Sequence, residues 1–215
     1  MSDLYVAKKP KEEKKILSLE DELEKLWGKT KNPLASFLAV PAKVRFETQE
    51  SEEKIILLLR KHWITNVGWL VSAAILLIAP LTLGIYPLLD FMPARFQLFT
   101  VILWYLFVII FILEQFLTWF FNVYIVTDER IIDIDFYNLL YKQITEAKID
   151  KVQDITMRMG GAIRTLFNFG DVLIQTAGAQ PNLDFSAVPR PEQVVRVLQD
   201  LRTQEEVEVL EGRVR

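Results

Sequence analysis

Chemistry in this chain would have to rest on carboxylates, because the usual pairings of nucleophile and base are missing. Covalent catalysis needs a base held beside Ser, Thr or Cys. The 215 residues contain one histidine, His62, and no cysteine. No GxSxG elbow, phosphate-binding glycine loop, HExxH pair or dinucleotide glycine pattern occurs. The acidic set Asp128, Glu129, Asp133 and Asp135 is what acid–base or metal chemistry could use. Period-two alternation accounts for Asp133 and Asp135 as the solvated face of a strand, and turn chemistry accounts for Asp128. The sequence therefore predicts no catalytic residue, no metal ligand and no cofactor site. The lack of cysteine also removes disulfides and thiolate ligands.

Residues that could bind are more numerous. Glu114 lies in an apolar run, seven positions before Phe121 and thus about 10 Å inside its end by helical rise. It stands beside Gln115, with Asn66 at a matched depth on a first run. An ionisable group at that depth is costly and should face protein or water. It can snorkel to the interface, bond across helices or subunits, or handle ions and protons. Lys142, Lys148, Lys151, Arg158 and Arg164 could form a patch attracted to anionic lipid or to a partner, or be dispersed solvated charges. Near the N-terminus Ile16, Leu19, Leu23 and Leu26 recur at three- and four-residue spacing, with Glu and Lys between them. This stripe predicts an amphipathic helix over about 16–27, packing on its own protein, the membrane surface or a partner.

The elements that must position these residues begin with two apolar runs, Ile64 to Tyr86 and Leu98 to Phe121. Each exceeds the roughly 20 residues that cross a hydrocarbon core, and the short gap between them leaves room for a tight turn. They read as a transmembrane hairpin. Pro80, Gly84 and Pro87 in the outer half of the first span predict a bend, with a binding site at the break as the sharper alternative. Ser51 ahead of Glu52, Glu53 and IILLLRKHW reads as a capped helix leading into the membrane. Lys54, Arg60 and Lys61 before the first span and Arg130 after the second outweigh Arg95 in the connector, which predicts cytoplasmic termini. The segment MSDLYVAKKPKEEKK lacks the apolar stretch of a cleavable signal, so the first span is expected to be the targeting signal. A net charge of -3, from 25 basic and 28 acidic residues, gives no field that favours nucleic acid.

After Phe121 the period changes from helical to two. NVYIV and IIDIDF flank the turn TDER and predict a β-hairpin. Further strands are expected over Leu139 to Ala147, over Lys151 to Met157, and in GDVLIQTA and NLDFSAV, with MGGAIRTLFNFGD as a compact turn. Pro191 suits a first helical position, and Val194, Val195, Leu198 and Leu201 form the apolar stripe of a closing helix. Periodicity alone supports an α+β domain.

The segments NVYIVTDERIIDID, KIDKVQDI, FNFGDVLIQTAG and AVPRPEQVVRVL resemble those of bacterial pleckstrin-homology (PH)-like membrane proteins, in which a two-helix hairpin precedes a PH-like domain. The resemblance runs from about Glu50 to Leu201. Its most specific part is Tyr124 with Thr127 to Arg130, and Gly170 and Thr176 add to it. It implies a membrane protein with a two-helix transmembrane hairpin and an antiparallel β-barrel or sandwich capped by a C-terminal helix. The expected layout is an N-terminal region 1–49, a membrane-entry helix and hairpin 50–121, a PH-like domain 122–203 and a charged tail 204–215. The inositol-phosphate pocket of eukaryotic PH domains is not carried over, because the turn that would hold it is short and half acidic. The expected role is a non-enzymatic interaction or scaffold module on the cytoplasmic face of a bacterial-type inner membrane. Its expected partners are the bilayer and either further copies of the chain or another membrane protein, with no nucleic acid and no small-molecule substrate. The alternatives are a small channel or transporter subunit in which Glu114 lines a polar path, and an anionic-lipid adaptor.

Overall fold

The computed structural model describes residues 35–39, 49, 53–84, 93–138, 141–177 and 182–210. The N-terminal stripe Ile16, Leu19, Leu23 and Leu26 lies outside them. Among the described residues, eight strands form two antiparallel sheets. The first has the order β1 (Phe37–Ala39), β2 (Ile55–Arg60), β3 (Val123–Thr127), β4 (Arg130–Asn138) and β5 (Tyr141–Lys148). The second contains β6 (Val152–Arg158), β7 (Phe169–Thr176) and β8 (Leu183–Pro189). A 3-10 turn over Ile149–Lys151 joins the sheets, and a short helix, α3 (Ala162–Leu166), lies between β6 and β7.

The expected membrane-entry helix is instead β2. In IILLLR the first five residues are all buried, and both edges of the strand are taken, by β1 and by β3. A strand covered on both faces shows continuous apolar character rather than alternation, so the short run carries no period that separates strand from helix. The consequence is topological. Arg60 pairs with Val123, and between these residues the chain forms the helices α1 (Val67–Ile78) and α2 (Ala94–Phe121). The helical hairpin thus does not precede the β-domain. It is inserted between two hydrogen-bonded neighbours of one sheet, and the domain includes β1 and β2.

Both helical segments, Trp63–Thr82 and Ala94–Phe121, are long and apolar enough to cross a membrane. The first is not one continuous α-helix: 3-10 turns at Trp63–Asn66 and Ala79–Gly84 flank α1. Pro80 explains the second break, since it has no N–H to give the carbonyl four residues back. That carbonyl, Leu76 O, accepts instead from Trp104 Nε1 of α2 at 2.9 Å, and the next one, Leu77 O, accepts from the Tyr105 hydroxyl at 3.4 Å. The two helices are joined where the first loses its own ladder.

The main core lies between the sheets and under the closing helix α4 (Pro191–Leu210). Leu57, Leu59, Tyr124, Val126 and Ile131 meet Val172, Ile174, Phe185 and Val188, while Val194, Val197, Leu198 and Leu201 of α4 seal one side. The helix does not stop near Arg202. It continues to Leu210, supported by an Arg202–Glu206 pair at 3.1 Å and an Arg202 bond to Gln153 O, so the expected tail is partly helical. Gly170 is fixed by crowding: a Cβ there would sit 2.7 Å from Arg158 O and 3.2 Å from Pro191 Cγ.

The TDER segment is a turn that grips the strand beside it. Thr127 Oγ1 accepts from Arg130 N at 3.0 Å and Glu129 N at 3.3 Å, and Asp128 exchanges two bonds with the Lys54 backbone. Arg130 then reaches across with Nε and Nη2, each 3.0 Å from a carboxylate oxygen of buried Glu53, while Nη1 meets Glu146 at 3.0 Å.

Candidate functional site at the root of the helical hairpin

The two strands that carry the helical hairpin, β2 leading in and β3 leading out, are locked where they meet it. Arg60 donates from Nε to Phe120 O at 3.1 Å and holds its guanidinium 4.6 Å from the Phe120 ring centre. Trp119 Nε1 donates to Lys61 O at 2.9 Å. Asn122, buried at the end of α2, accepts from Phe136 N through Oδ1, and the Phe121 and Phe136 rings pack 5.2 Å apart. The two neutral bonds contribute about 0.5–1.5 kcal/mol each and the bond from the charged Arg60 about 1.5–3 kcal/mol, so the sheet is tied to both ends of the helical hairpin.

The second sheet is fastened to the same root through a bulge in β8. Gly170 pairs with Val188 but Val172 with Phe185, so β8 carries one extra residue, and Ala187 there has φ +49°. Its carbonyl accepts from His62 N at 2.8 Å and its N–H donates to Asp171 Oδ1 at 2.8 Å, while the neighbouring Ser186 N donates to the Tyr124 hydroxyl at 3.1 Å. The His62 ring stacks on Phe169 at 5.0 Å and its Nδ1 accepts from Ile64 N. Burial lowers the His62 pKa, and the ring works as a neutral packing and capping group.

Beside this joint lies a polar interior. Asp133 pairs across the ladder with Tyr124, whose ring stacks on Phe185 of the second sheet at 4.5 Å. Asp133 is therefore on the inward face, and the expectation of a solvated Asp133 is corrected. The alternation holds, but each face is covered: Ile131 joins the main core, while Ile132 packs with Ile55 and Ile125 on the other side. Burial and the charge of Asp135 push the Asp133 carboxyl up to about 7, with Lys61 pulling the other way and Asp184 adding to the rise. Its Oδ1 has no hydrogen-bond partner among the described residues. The Tyr124 hydroxyl is raised by burial and then by Asp133. Asp184 is raised by burial and Asp171, with Arg158 opposing. Such a set can hold a proton near neutral pH. Among the described residues no group of His, Asp or Glu is arranged to hold a metal ion.

The five basic residues singled out in the sequence do not share one place. Lys148 faces Arg130 across the ladder, and Lys151, paired with Asp150 at 3.0 Å, follows on the adjoining 3-10 turn. Both are at the end away from the helices. Lys142 pairs with Phe136, Arg158 ends β6 and Arg164 lies in α3 just before β7, so these three lie at the hairpin end. Arg164 binds Asp171 there. Glu114 and Gln115 lie half-buried on α2, while Asn66 Oδ1 accepts from Trp69 Nε1 at 3.0 Å. The sequence presents Arg60 only as a charge flanking a span and Glu53 only as part of a capped helix start, and it does not single out Trp119 or Ala187. A long cationic side chain and an indole at the ends of apolar runs were the available signal for Arg60 and Trp119; nothing local marks the bulge.

A family model described as a bacterial PH domain covers residues 55–202, more than half of the chain, and its start coincides with β2 rather than β3. No curated protein and no solved structure matches.

Proposed function

We propose, from the premise that the chain belongs to the bacterial PH domain family, that it is a non-enzymatic interaction module anchored in the cytoplasmic membrane, binding a membrane protein or further copies of itself at the cytoplasmic face. One observation carries this reading. The hairpin leaves β2 and returns to β3, which are adjacent in one sheet, and Arg60, Trp119 and Asn122 tie its two ends with no linker. With the helices in a bilayer, the domain has a fixed height and tilt, and its surface is offered to partners in the same plane. Tethering of that kind raises effective concentration, so individual contacts can be weak. The excess of Lys54, Arg60, Lys61 and Arg130 at the domain end supports the cytoplasmic side.

The test is crosslinking and native mass measurement on the detergent-extracted full chain with copurified proteins retained, compared with a variant carrying a Gly/Ser insertion after Asn122. A higher-mass assembly that the insertion abolishes is the expected result. A monomer without partners, or an assembly indifferent to the insertion, overturns the reading. An oligomer with Glu114 on a water-filled central path would favour a channel instead.

A further inference from the structure

We propose that two apolar tips of the β-domain, one on each side of the helical hairpin, dip into the bilayer interface and hold the domain flat against the membrane. This rests on the anchored reading above and adds a second, peripheral contact with lipid.

The first tip is α3 with the residue that follows it. Ile163 and Leu166 are 63% and 79% exposed and face away from the core, and Phe167 is 41% exposed. Their height is set by two ring contacts. Phe167 packs edge-on against Trp63, the first residue of the first apolar segment, with centroids 6.1 Å apart, and Phe169 stacks on His62 just before it. Because β7 starts level with His62, the preceding α3 lies where the chain turns into the helices. Gly161, at φ +92°, makes the sharp entry into this helix that a side chain would resist.

The second tip is the β4–β5 end. Phe136 is level with the last residues of α2 through its contacts with Phe121 and Asn122. β4 continues to Asn138, which pairs with Tyr141, and this adds roughly 7 Å in the direction of the helices at the usual strand rise. Tyr137 and Tyr141 at this tip are 60% and 57% exposed, with rings 5.6 Å apart. Aromatic side chains with a polar end favour the headgroup boundary.

The occupant follows from continuity. Exposed apolar groups are normally a few scattered side chains, whereas these lie on both flanks of two helices that themselves expose apolar residues along their length. The lipid that surrounds the helices would meet both tips without any rearrangement. Basic side chains lie at the same level: Lys142 beside the tyrosines, Arg164 within α3 and Arg158 at the end of the strand that leads to it. There they face phosphates of the leaflet, while Lys148 and Lys151 remain at the far end.

The chain has no cysteine, so single labels need no background removal. Nitroxides are placed in full-length protein at Leu166→Cys, Ile163→Cys and Tyr141→Cys, all exposed sites, with Phe107→Cys on α2 and Lys148→Cys at the far end as references. In nanodiscs of phosphatidylcholine and phosphatidylglycerol, oxygen reports hydrocarbon and a nickel chelate reports water. The expected result is an oxygen-to-nickel accessibility ratio at all three tip sites several-fold above that at Lys148→Cys and below that at Phe107→Cys. Ratios at the tips equal to Lys148→Cys, with Phe107→Cys still in lipid, overturn this inference and leave the anchored reading standing. Water accessibility at Phe107→Cys overturns both. Tip labels shielded from oxygen and nickel alike show a protein neighbour or second copy in place of lipid, which also overturns it.

Discussion

Replacing Arg130 with Met should cost far more than its place at a surface turn suggests. Its guanidinium makes a two-pronged contact with Glu53, both prongs 3.0 Å, and the Glu53 side chain is fully buried. Glu146, a further partner of Arg130, is more than half exposed. Removing the cation from a buried pair leaves a desolvated carboxylate, a cost of about 3–5 kcal/mol, whereas an exposed pair contributes about 0–1 kcal/mol. At about 2–4 °C per kcal/mol for a chain of this size, Arg130→Met should lower Tm by about 6–20 °C, and Glu146→Gln by a few degrees at most. Thermal unfolding of the detergent-extracted chain, followed by tryptophan fluorescence, measures both. Adding Glu53→Gln to Arg130→Met should recover part of the loss, because the stranded charge is gone. Equal losses from Arg130→Met and Glu146→Gln, or strict additivity of Arg130→Met with Glu53→Gln, would refute the buried clamp.

Asp133 is pushed from an ordinary 3.8 to about 7, so the folded state holds a proton that the unfolded chain releases. Its destabilisation should be absent below about pH 4, grow through pH 7 and reach at most about 4 kcal/mol above it; Asp133→Asn should flatten this slope and raise Tm at pH 8, and an unchanged slope would count against the buried site. Trp104→Phe should cost about 1 kcal/mol by leaving Leu76 O without its indole donor, and much less in a Pro80→Ala background, where the helix supplies its own N–H; equal cost in both backgrounds, by thermal unfolding, would refute the pairing. Gly170→Ala should lose about 1–3 kcal/mol on the same assay, since the new methyl meets Arg158 O at 2.7 Å, and an unchanged Tm would show that β6 yields there.

What the sequence made legible was whatever a local period could carry. β3, β4, β7, β8 and the closing helix lie close to their expected places, and the apolar runs matched two helices, because each alternates or stripes over several residues. β2 was misread for a physical reason: a strand buried on both faces loses its alternation. That single error hid the topology, since without β2 the hairpin looks like an N-terminal appendage. The same blindness turned Asp133 outward. Alternation separates two faces of a strand but cannot say which one meets water when both are covered. The TDER segment was conspicuous as a motif, yet its use became visible only once Glu53 and Lys54 were known to lie beside it. The five basic residues fell into two groups because strand β5, with Lys142 near one end and Lys148 at the other, runs the length of the domain.

Insertion of the helical hairpin between paired strands makes its own folding and that of the sheet one problem. Arg60 and Val123 must meet across the whole hairpin before β2 and β3 can pair. An open loop of that length would add closure entropy for every ladder bond that depends on it. Two helices associating first would remove that cost, because antiparallel packing brings residues 60 and 123 together much as a tight turn would. The Trp104 and Tyr105 bonds to the first helix then act on the β-domain without touching it. The reverse also holds: the bulge at Ala187 anchors His62, the residue just before the first apolar segment, so disturbing β8 should loosen the start of that segment. Helix pairing and sheet closure are in this way set by the same few contacts at the root.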